Sequence, residues 1–540
     1  MMWVRWCRGA MVVLVSLVAG RFGVSRLAGQ GRSDVPRTGV DSSSSDDRLI
    51  ASLKSYIPHA MRLTGVPGLN IAVARHGKVI WEEGFGFADV ARKRPMTAAT
   101  VMHAGSMSKL YTVTATMQLI ERGVIGLHQP INGYLKRFQV VNPLGEREIT
   151  VYDLLTHRSG LTSNAASSQF TPPLPLGEHL QRAFAGTRHP EYDHARPMWS
   201  AAVGQRYQYS NLGMATLGYL VEVMNPEGLS FSEYVQRHVI DVLGMKATQF
   251  PALQDRPAAR PDILAQASTG YARLGPLLIP TPPVHFADYP AGNVLTTPGD
   301  HIKLLLAFQR GGELDGRRIL SRETTKLMLT PQAPSTSGSS ADDWVSLGVE
   351  ILNYNKPLQG FGHGGAHMYG WEDDSRVYPS LDLAIVIGTN NWDMITRSLR
   401  RDLRVQRARE LIPDFIIDWL QHESVSRTRA PAPQSWAWKT SYVAGLVMAD
   451  RLTGFLGIES PITPAMVDTM AAGALIMEGE PAVWDAAGFR AGVADLTAAG
   501  RRREAIRAFI DSDRLRVGPE ELKLLWRQLG GVGDALIPGW

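Results

Sequence analysis

The spacing of apolar and polar positions predicts a helix and then a hairpin near the start of the chain. Residues 49–63 carry apolar side chains at helical spacing, which predicts an amphipathic helix. Residues 69–74 and 78–81 are strand-like runs on either side of His76 and Gly77. Because glycine adopts a positive φ without steric penalty, this pair of residues favours a tight turn between two antiparallel strands.

Helical spacing dominates the middle of the chain, and strand patterns return later. Apolar positions repeat at helical spacing over residues 106–122, and residues 150–260 look mainly helical. Residues 383–388 form a short apolar, β-branched run, for which residues 376–378 are the candidate hairpin partner. Another helix is predicted over residues 397–411.

This order of elements predicts the fold class. Strands at both ends with helices between them are typical of an α+β domain, here an antiparallel sheet flanked by helices with an all-helical lobe. The two ends should join in one sheet, so residues 69–81 are expected beside residues 376–388. If the two hairpins lay in different domains, this prediction would be wrong.

The chain has 540 residues, more than a single hydrophobic core usually contains. Changes in composition therefore indicate where its segments and domains begin and end. Residues 31–47 are rich in Ser, Asp and Gly without apolar periodicity, which is typical of a flexible leader. Residues 423–435 are rich in Ser, Arg, Ala and Pro and are a candidate linker. Between them lies the main domain, residues 48–422. Helical patterns predict a separate C-terminal all-α domain at residues 436–540.

The first thirty residues are typical of an export signal. Arg5 and Arg8 form a positive start, and residues 10–20 are an uncharged, mostly apolar run. That run is too short for a membrane-spanning helix, which needs about 20 residues. We therefore predict a signal peptide at residues 1–30, a secreted or periplasmic protein, and no stable membrane span after cleavage. The alternative is a short uncleaved membrane anchor.

Charge and cysteine content narrow the choice of partners. The formal net charge is +5, but four arginines in the first thirty residues supply most of it, and a mature chain would carry only +1. The basic balance is therefore no argument for nucleic-acid binding. Cys7 is the only cysteine and lies inside the predicted signal peptide. The mature protein would then have no disulfide, no cysteine-ligated metal and no thiol nucleophile.

The sharpest motif is Ser106-Met107-Ser108-Lys109, the only Ser-x-x-Lys of the chain. At the start of a helix, residues i and i+3 share a face, so the Lys109 amine can reach the Ser106 hydroxyl, whereas Ser108 lacks this geometry. A serine hydroxyl becomes a nucleophile when a base takes its proton, and Lys109 can do so only when burial or nearby positive charge keeps it neutral. The alternative is a serine N-cap followed by a solvated lysine.

Two further motifs follow. Tyr209-Ser210-Asn211 is the only Tyr-x-Asn and precedes a helical run. A phenol can relay protons and an amide can bind a substrate carbonyl, but a turn aromatic with a capping asparagine is the alternative. His363-Gly364-Gly365 lies beside the late hairpin, where an edge strand should line a cleft, and its glycines would let a substrate approach the backbone. His103-Ala104-Gly105 also matches His-x-Gly but lies elsewhere in the pattern.

The order Ser-x-x-Lys, Tyr-x-Asn, His-x-Gly resembles the serine β-lactamase/penicillin-binding-protein superfamily. It looks most like the branch of class C β-lactamases, D-alanyl-D-alanine carboxypeptidases, D-aminopeptidases and family VIII esterases. Residues 65–68, 154–161 and 290–293 are also similar to family segments. The likeness covers roughly residues 48–420 and does not extend to residues 424–540.

The resemblance implies a role for each matching position. Ser106 would form the acyl-enzyme, Lys109 would act as base or proton shuttle, and Tyr209 would exchange protons with departing and entering groups. Asn211 would help to hold the acyl side chain of the substrate. The N–H groups of Ser106 and Ala366 would form the oxyanion hole. Water completes the cycle, so neither a metal nor an organic cofactor is implied.

The third motif departs from that of efficient β-lactamases, which usually place Lys-Thr-Gly there to attract the carboxylate of the drug. His363 replaces the lysine, and an unperturbed imidazole is mainly neutral near pH 7. The sequence therefore favours a serine hydrolase of an ester or a D-amino-acid peptide or amide, including peptidoglycan-derived ones, over a β-lactamase. A non-catalytic cell-wall peptide-binding protein is the alternative from another class. A third hypothesis is that the C-terminal segment, residues 424–540, is an interaction module that determines the biological role of the protein.

Overall fold

The computed structural model describes the main domain with short gaps. The described residues are 44–162, 167–168, 174–185, 198–251, 259–274, 277–281, 285–335, 344–367, 370–393 and 408–426. The predicted signal peptide, nearly all of the predicted leader, most of the predicted linker and the predicted C-terminal domain lie outside these residues, and those assignments stay predictions.

Helices and strands alternate along the described residues. The helices are α1 (Ser45–Thr64), α2 (Ser108–Glu121), α3 (Val151–Leu155), α4 (Leu176–Phe184), α5 (Asn211–Met224), α6 (Phe231–Val235), α7 (Pro261–Gln266), α8 (Pro298–Gln309), α9 (Arg322–Leu329) and α10 (Ala408–Ser426). The strands are β1 (Gly68–Arg75), β2 (Lys78–Asp89), β3 (Arg94–Pro95), β4 (Met102–His103), β5 (Ser167–Ser168), β6 (Gly270–Leu274), β7 (Leu277–Thr281), β8 (His285–Phe286), β9 (Leu295–Thr296), β10 (Glu313–Leu314), β11 (Arg317–Arg318), β12 (Ala333–Pro334), β13 (Trp344–Val345), β14 (Glu350–Leu352), β15 (Gly360–Gly362), β16 (Gly365–His367), β17 (Trp371–Tyr378), β18 (Leu383–Thr389) and β19 (Asn391–Asp393).

The main antiparallel sheet joins the two ends of the domain, as the pattern predicts. Its strand order is β12-β13-β14-β15-β17-β18-β1-β2-β3, with β16 also pairing β17. Strand β1 pairs β18 from Leu69↔Thr389 to Arg75↔Leu383, so the two predicted hairpins are neighbours. His76 and Gly77 both have positive φ, 53° and 66°, which suits a two-residue turn whose twist matches that of the strands. The α+β fold class is confirmed.

Both faces of the central strands are buried, and successive side chains enter different cores. Leu69, Ile71 and Val73 of β1 pack with α1 and α10 on one face. Ala72 and Ala74 face the larger core on the other side, which contains α2, α5 and α8. Because side chains alternate across a strand, one continuous apolar run fills two layers.

The helical lobe is built around α5. This helix packs against α2, α3, α4 and α6, and its residues from Leu212 to Val221 are buried. Helix α2 is buried from Ser108 to Leu119 and ends before Gly123, whose φ of 69° suits a helix stop. The prediction of a mainly helical region 150–260 is confirmed for the part that the structure describes. No described helix is both long and apolar enough to cross a bilayer.

Two predicted boundaries are wrong. Helix α1 begins at Ser45 and includes the last three residues of the predicted leader, 31–47, because Asp46 and Asp47 stabilise its first turn. Asp46 also forms an ion pair with Arg75 at the end of β1. At the other end, α10 continues to Ser426, beyond the predicted helix end at 411 and into the predicted linker, 423–435.

Packing explains why α10 continues past residue 411. A proline within a helix removes a backbone hydrogen bond, and Pro413 lies within α10. The apolar stripe nevertheless continues through the buried residues Ile412 and Phe415. The ring of Phe415 stacks on Tyr56 of α1, with the ring centroids 4.2 Å apart. The contact with α1 therefore offsets the cost of the proline, and local pattern alone does not reveal it.

The packing of α10 predicts a stability effect. Ile412 is fully buried between α10 and the sheet, so Ile412→Ala should lower the free energy of unfolding by about 2–5 kcal/mol. Leu327 is 42% exposed, and Leu327→Ala should change that free energy by at most about 0.5 kcal/mol. Urea unfolding of both variants is the measurement. Equal, small effects would show that α10 is not part of the domain core.

Candidate active site

Ser106 lies in the 3-10 turn Gly105–Met107 that leads into α2. Its neighbours Gly105 and Met107 are buried, whereas Ser106 is partly exposed. Lys109 lies one turn later and is fully buried. Its Nζ donates hydrogen bonds to Ser106 Oγ at 2.8 Å and to the backbone oxygen of Ala291 at 2.7 Å. The predicted one-turn contact between serine and lysine is present, and the lysine is not solvated.

Burial sets the charge state of Lys109. Removal from water disfavours the ammonium and lowers the pKa of Lys109 to about 7. The carboxyl groups of Asp288 and Glu350 act in the opposite direction, but their attraction is weaker than the desolvation. Burial in turn raises the pKa of Asp288 to about 7. A substantial fraction of Lys109 is therefore neutral at neutral pH and can accept a proton.

Tyr209 approaches Ser106 from the start of α5. Its Oη donates a hydrogen bond to Ser106 Oγ at 2.8 Å, and Lys109 Nζ lies 4.9 Å from the centre of its ring. Burial raises the pKa of Tyr209 well above its usual value, more than the hydrogen bond to Ser106 lowers it. The phenol therefore keeps its proton near neutrality. One serine hydroxyl thus contacts a titratable amine and a protonated phenol.

Asn211 is the first residue of α5 but does not cap the helix. The cap is Ser210, whose Oγ accepts a hydrogen bond from Gly213 N at 3.0 Å. Asn211 Oδ1 is buried and has no hydrogen-bond partner among the described residues. A buried polar oxygen without a partner is costly, so this amide is available for a group that enters the site.

His363 lies between β15 and β16 and is buried. Its Nδ1 contacts the backbone oxygen of Gly364 at 2.6 Å. A carbonyl oxygen only accepts, so the proton of the neutral ring lies on Nδ1 and Nε2 keeps its lone pair. Nε2 is 3.9 Å from a carboxylate oxygen of Glu350. Burial lowers the pKa of His363, although Glu350 partly opposes that shift, so the imidazole is mainly neutral near pH 7.

Two glycines bring β16 against the turn that carries Ser106. A Cβ added at Gly365 would lie 2.3 Å from the backbone oxygen of Ala104. A Cβ added at Gly105, whose φ is +49°, would lie 2.8 Å from the backbone nitrogen of Ala366. No side chain fits in either place, and this close approach puts Ala366 next to Ser106. Ala366 and Ser106 are both partly exposed between buried neighbours.

Ser108 has a different function from Ser106. It is fully buried, and its Oγ donates to the backbone oxygen of Gly105 at 2.6 Å and accepts from Val294 N at 2.9 Å. These bonds connect the turn that carries Ser106 to the segment that contains Ala291 and Val294. The expectation that Ser106 rather than Ser108 faces Lys109 agrees with this geometry.

Several residues near the site were not singled out individually from the sequence. Ala291 supplies the carbonyl oxygen that Lys109 contacts. Asp288 is buried, and neither of its carboxyl oxygens has a hydrogen-bond partner among the described residues. Arg409 of α10 donates to the backbone oxygens of Gly365 and Asp373, at 3.1 and 3.0 Å, and so links α10 to β16 and β17. Ala291 lies in the family-like segment 290–293, so the sequence contained a signal for it. No local sequence pattern indicates that Asp288 or Arg409 lies near the site.

His157 is a further residue near the site, from the family-like segment 154–161. Its Nδ1 accepts a hydrogen bond from Ser210 N at 3.2 Å, and its ring packs on Tyr209. No group of three or more His, Cys, Asp or Glu side chains suited to a metal ion occurs in the described part of the chain. The described residues bring the side chains of Ser106, Lys109 and Tyr209 into hydrogen-bond contact.

Comparison with known proteins gives a family match and two matching folds. The model of the family described as Beta-lactamase matches residues 53–409. The octameric penicillin-binding protein homologue from Pyrococcus abyssi is 22% identical, with a TM-score of 0.54, over 74% of this chain and 81% of that one. EstCE1, described as a hydrolase with promiscuous acyltransferase activity, is 20% identical, with a TM-score of 0.50, over 64% of this chain and 94% of that one.

Among curated relatives, Protein flp of Staphylococcus aureus (strain MW2) is 26% identical over 200 residues. The match covers 37% of this chain and 38% of the relative. The chain thus spans well under two thirds of the length of this relative.

The charge state of Lys109 predicts how Ser106 reactivity depends on pH. The pKa of Lys109 is lowered to about 7, so the neutral amine forms as pH rises through that value. The rate at which a fluorophosphonate labels Ser106 should increase over the same range and then level off. In Asp288→Asn the midpoint should move to lower pH, because removal of a negative charge destabilises the ammonium. The labelling rate across a pH series is the measurement, and an unmoved midpoint would contradict this account.

Proposed function

The chain belongs to the β-lactamase family, and on that premise we propose that it is a serine hydrolase that forms an acyl-enzyme on Ser106. The observation that carries the proposal is the pair of hydrogen bonds that Lys109 and Tyr209 donate to the Ser106 hydroxyl. One partner is an amine with a pKa of about 7, and the other is a phenol that stays protonated. They supply a base and an acid at one oxygen.

In the proposed acylation, neutral Lys109 removes the proton of Ser106 as Oγ attacks the carbonyl carbon of the substrate. The oxyanion lies at the N–H groups of Ser106 and Ala366, donors that are already in place when the charge develops. Tyr209 gives its proton to the leaving oxygen or nitrogen as that bond breaks. The proton on Lys109 then passes to Tyr209, which restores the starting protonation state of both side chains. In net terms Ser106 has lost one proton and the leaving group has gained one.

Deacylation follows the same route in reverse. Water occupies the place of the leaving group and loses its proton to the Lys109–Tyr209 pair as it attacks the ester carbon. Ser106 Oγ leaves with a proton, and the acid product departs. The pKa directions support Lys109 as the principal base, since the phenol of Tyr209 gives up its proton only at a much higher pH than the ammonium of Lys109. No metal or organic cofactor takes part in these steps.

We propose an ester or a D-amino-acid peptide or amide as the substrate. Asn211 would bind the acyl side chain through its unpartnered Oδ1. In the third motif, where efficient β-lactamases usually place a lysine that attracts a carboxylate, this chain has the neutral His363. The carboxylate of Glu350 lies 3.9 Å from Nε2 of that ring. A penicillin or cephalosporin carboxylate would be repelled by that anion, whereas a neutral ester would not. The solved structure of EstCE1, described as a hydrolase, is compatible with such a substrate on this fold.

Two other functions remain alternatives. A β-lactamase is favoured by the family match itself. The other alternative is a non-catalytic protein that binds cell-wall peptides. A protein of that kind would not need a buried lysine that titrates near neutrality.

We propose further that the protein is exported and acts on small molecules, including peptidoglycan-derived ones. The positive start at Arg5 and Arg8 and the apolar run 10–20 support the proposal of export.

The nucleophile is tested by labelling. Ser106→Ala should abolish labelling by a fluorophosphonate or a penicillin, because no other side chain supplies the attacking oxygen. In Ser108→Ala the labelling should persist, while the free energy of unfolding falls by about 1–3 kcal/mol because Val294 N loses its acceptor. Intact-mass spectrometry and thermal unfolding measure the two effects. An adduct that persists in Ser106→Ala or maps to Ser108 would show that the nucleophile is assigned incorrectly.

Substrate preference is tested with one neutral and one anionic substrate. At pH 7 we expect kcat/KM for p-nitrophenyl butyrate to exceed that for nitrocefin. β-Lactams would acylate Ser106 slowly and persist there as inhibitors. Glu350→Gln removes the anion beside His363 and should raise kcat/KM for nitrocefin several-fold more than that for the ester, about 1 kcal/mol for a fivefold change. His363→Lys should act in the same direction if the site holds the longer side chain.

The controls for this test are the wild-type ratio and the response of the neutral ester. A kcat/KM for nitrocefin about tenfold above that for the ester, roughly 1.4 kcal/mol in transition-state stabilisation, would establish the β-lactamase alternative instead. No turnover of any ester, peptide or β-lactam, together with no labelling of Ser106, would favour the non-catalytic binding protein.

A further inference from the structure

His157 contacts the chain on both sides of Tyr209. Its backbone oxygen accepts a hydrogen bond from Gln208 N at 2.7 Å, and its Nδ1 accepts one from Ser210 N at 3.2 Å. The imidazole and the Tyr209 ring are also in contact, with centroids 4.7 Å apart and planes inclined by 34°. The two neighbours of Tyr209 in the chain and the Tyr209 ring itself are therefore held by one residue.

His157 is itself held in one conformation and one protonation state. It is buried and has a φ of 55°, a left-handed conformation that histidine and asparagine adopt more readily than most residues. Because Nδ1 accepts a hydrogen bond from an N–H group, the neutral ring carries its proton on Nε2. Burial lowers the pKa of His157 well below its usual value, which keeps this acceptor available across the neutral range.

The position of the Tyr209 hydroxyl depends on these contacts. The Oη atom of a tyrosine lies on the axis of its Cβ–Cγ bond, so the backbone position and the rotation about Cα–Cβ determine where Oη lies. The hydrogen bonds from Gln208 N and Ser210 N restrain the backbone, and the contact between the rings restrains the rotation about Cα–Cβ. Oη must stay within hydrogen-bond reach of Ser106 Oγ, which is 2.8 Å away. A displacement of about 1 Å at a reacting group can lower a rate by about a hundredfold.

We propose that His157 is a positioning residue that fixes Tyr209 at Ser106 through hydrogen bonds to both chain neighbours of Tyr209 and through contact with its ring. The inference rests on the proposed function of Tyr209 as proton donor to the leaving group. No contact between His157 and Ser106 is seen among the described residues. His157 acts through Tyr209 alone, so its loss should affect the proton-donation step in particular.

Leaving-group dependence distinguishes positioning from a general loss of structure. Ethyl butyrate and p-nitrophenyl butyrate give the same acyl-enzyme, but ethoxide needs a proton as it leaves and nitrophenolate does not. Tyr209→Phe should therefore reduce kcat/KM for the ethyl ester much more than for the nitrophenyl ester. The ratio of the two kcat/KM values measures proton donation during acylation and is insensitive to the fraction of folded enzyme.

Two matched variants test the hydrogen-bond acceptor. His157→Asn keeps an acceptor near the position of Nδ1 and tolerates the left-handed backbone, whereas His157→Leu has a similar size and no acceptor. We expect His157→Leu to lower the ethyl-to-nitrophenyl ratio by about tenfold or more and His157→Asn to stay within about threefold of wild type. If His157→Leu does not fold, His157→Phe keeps a ring without the acceptor and should lower the ratio in the same way.

His179 provides the control for losing a buried imidazole. It is buried in α4, and no contact of His179 with Tyr209 or Ser106 is seen in the described part of the chain. His179→Leu should leave the ratio unchanged. Equal losses for both esters in His157→Leu, beside a selective loss in Tyr209→Phe, would overturn the positioning role alone. If Tyr209→Phe shows no selective loss, the proposed proton donor and the inference about His157 fail together.

Discussion

The exclusion of water from the Lys109 amine is the constraint on which the site depends. An exposed lysine is charged at neutral pH and cannot take a proton from a serine. Complete burial lowers the pKa of Lys109 to about 7, while Ser106 Oγ and the Ala291 carbonyl satisfy its hydrogen bonds. A buried amine without these acceptors would be costly, and a solvated amine would be inert as a base. Burial and acceptors must therefore be supplied together.

Four segments far apart in sequence meet around this amine. The turn before α2 and the first residues of that helix supply Ser106 and Lys109. The segment before β9 supplies Ala291, the residues just before α5 supply Tyr209, and β16 supplies Ala366. The main sheet pairs β1, the first strand, with β18 from near the end of the domain, and β16 of the same sheet lies against the turn before α2. Two glycines permit that approach, and Arg409 links the same strand to α10.

In the proposed reaction, the charges around the site affect both proton transfer and the choice of substrate. Burial lowers the pKa of Lys109 to about 7, and the carboxyl groups of Asp288 and Glu350 partly oppose that shift. The same carboxylate of Glu350 lies beside a neutral His363, where a cation would be needed to hold an anionic substrate. Tuning of the base and discrimination against carboxylates therefore arise from one set of side chains. On this account, a change at Glu350 would alter both properties at once.

The sequence by itself determined the features that depend on neighbours a few residues apart. The hairpin at His76-Gly77, helix α2, and the one-turn contact of Ser106 with Lys109 follow from turn chemistry and helical periodicity. It misplaced the ends of α1 and α10, because packing such as that of Phe415 on Tyr56 decides where a helix stops. Only the tertiary structure determined that Lys109 is shielded from water, that His157 contacts Tyr209, and that Arg409 contacts β16. Burial and hydrogen bonds between distant residues arise when the chain folds, and no local spacing encodes them.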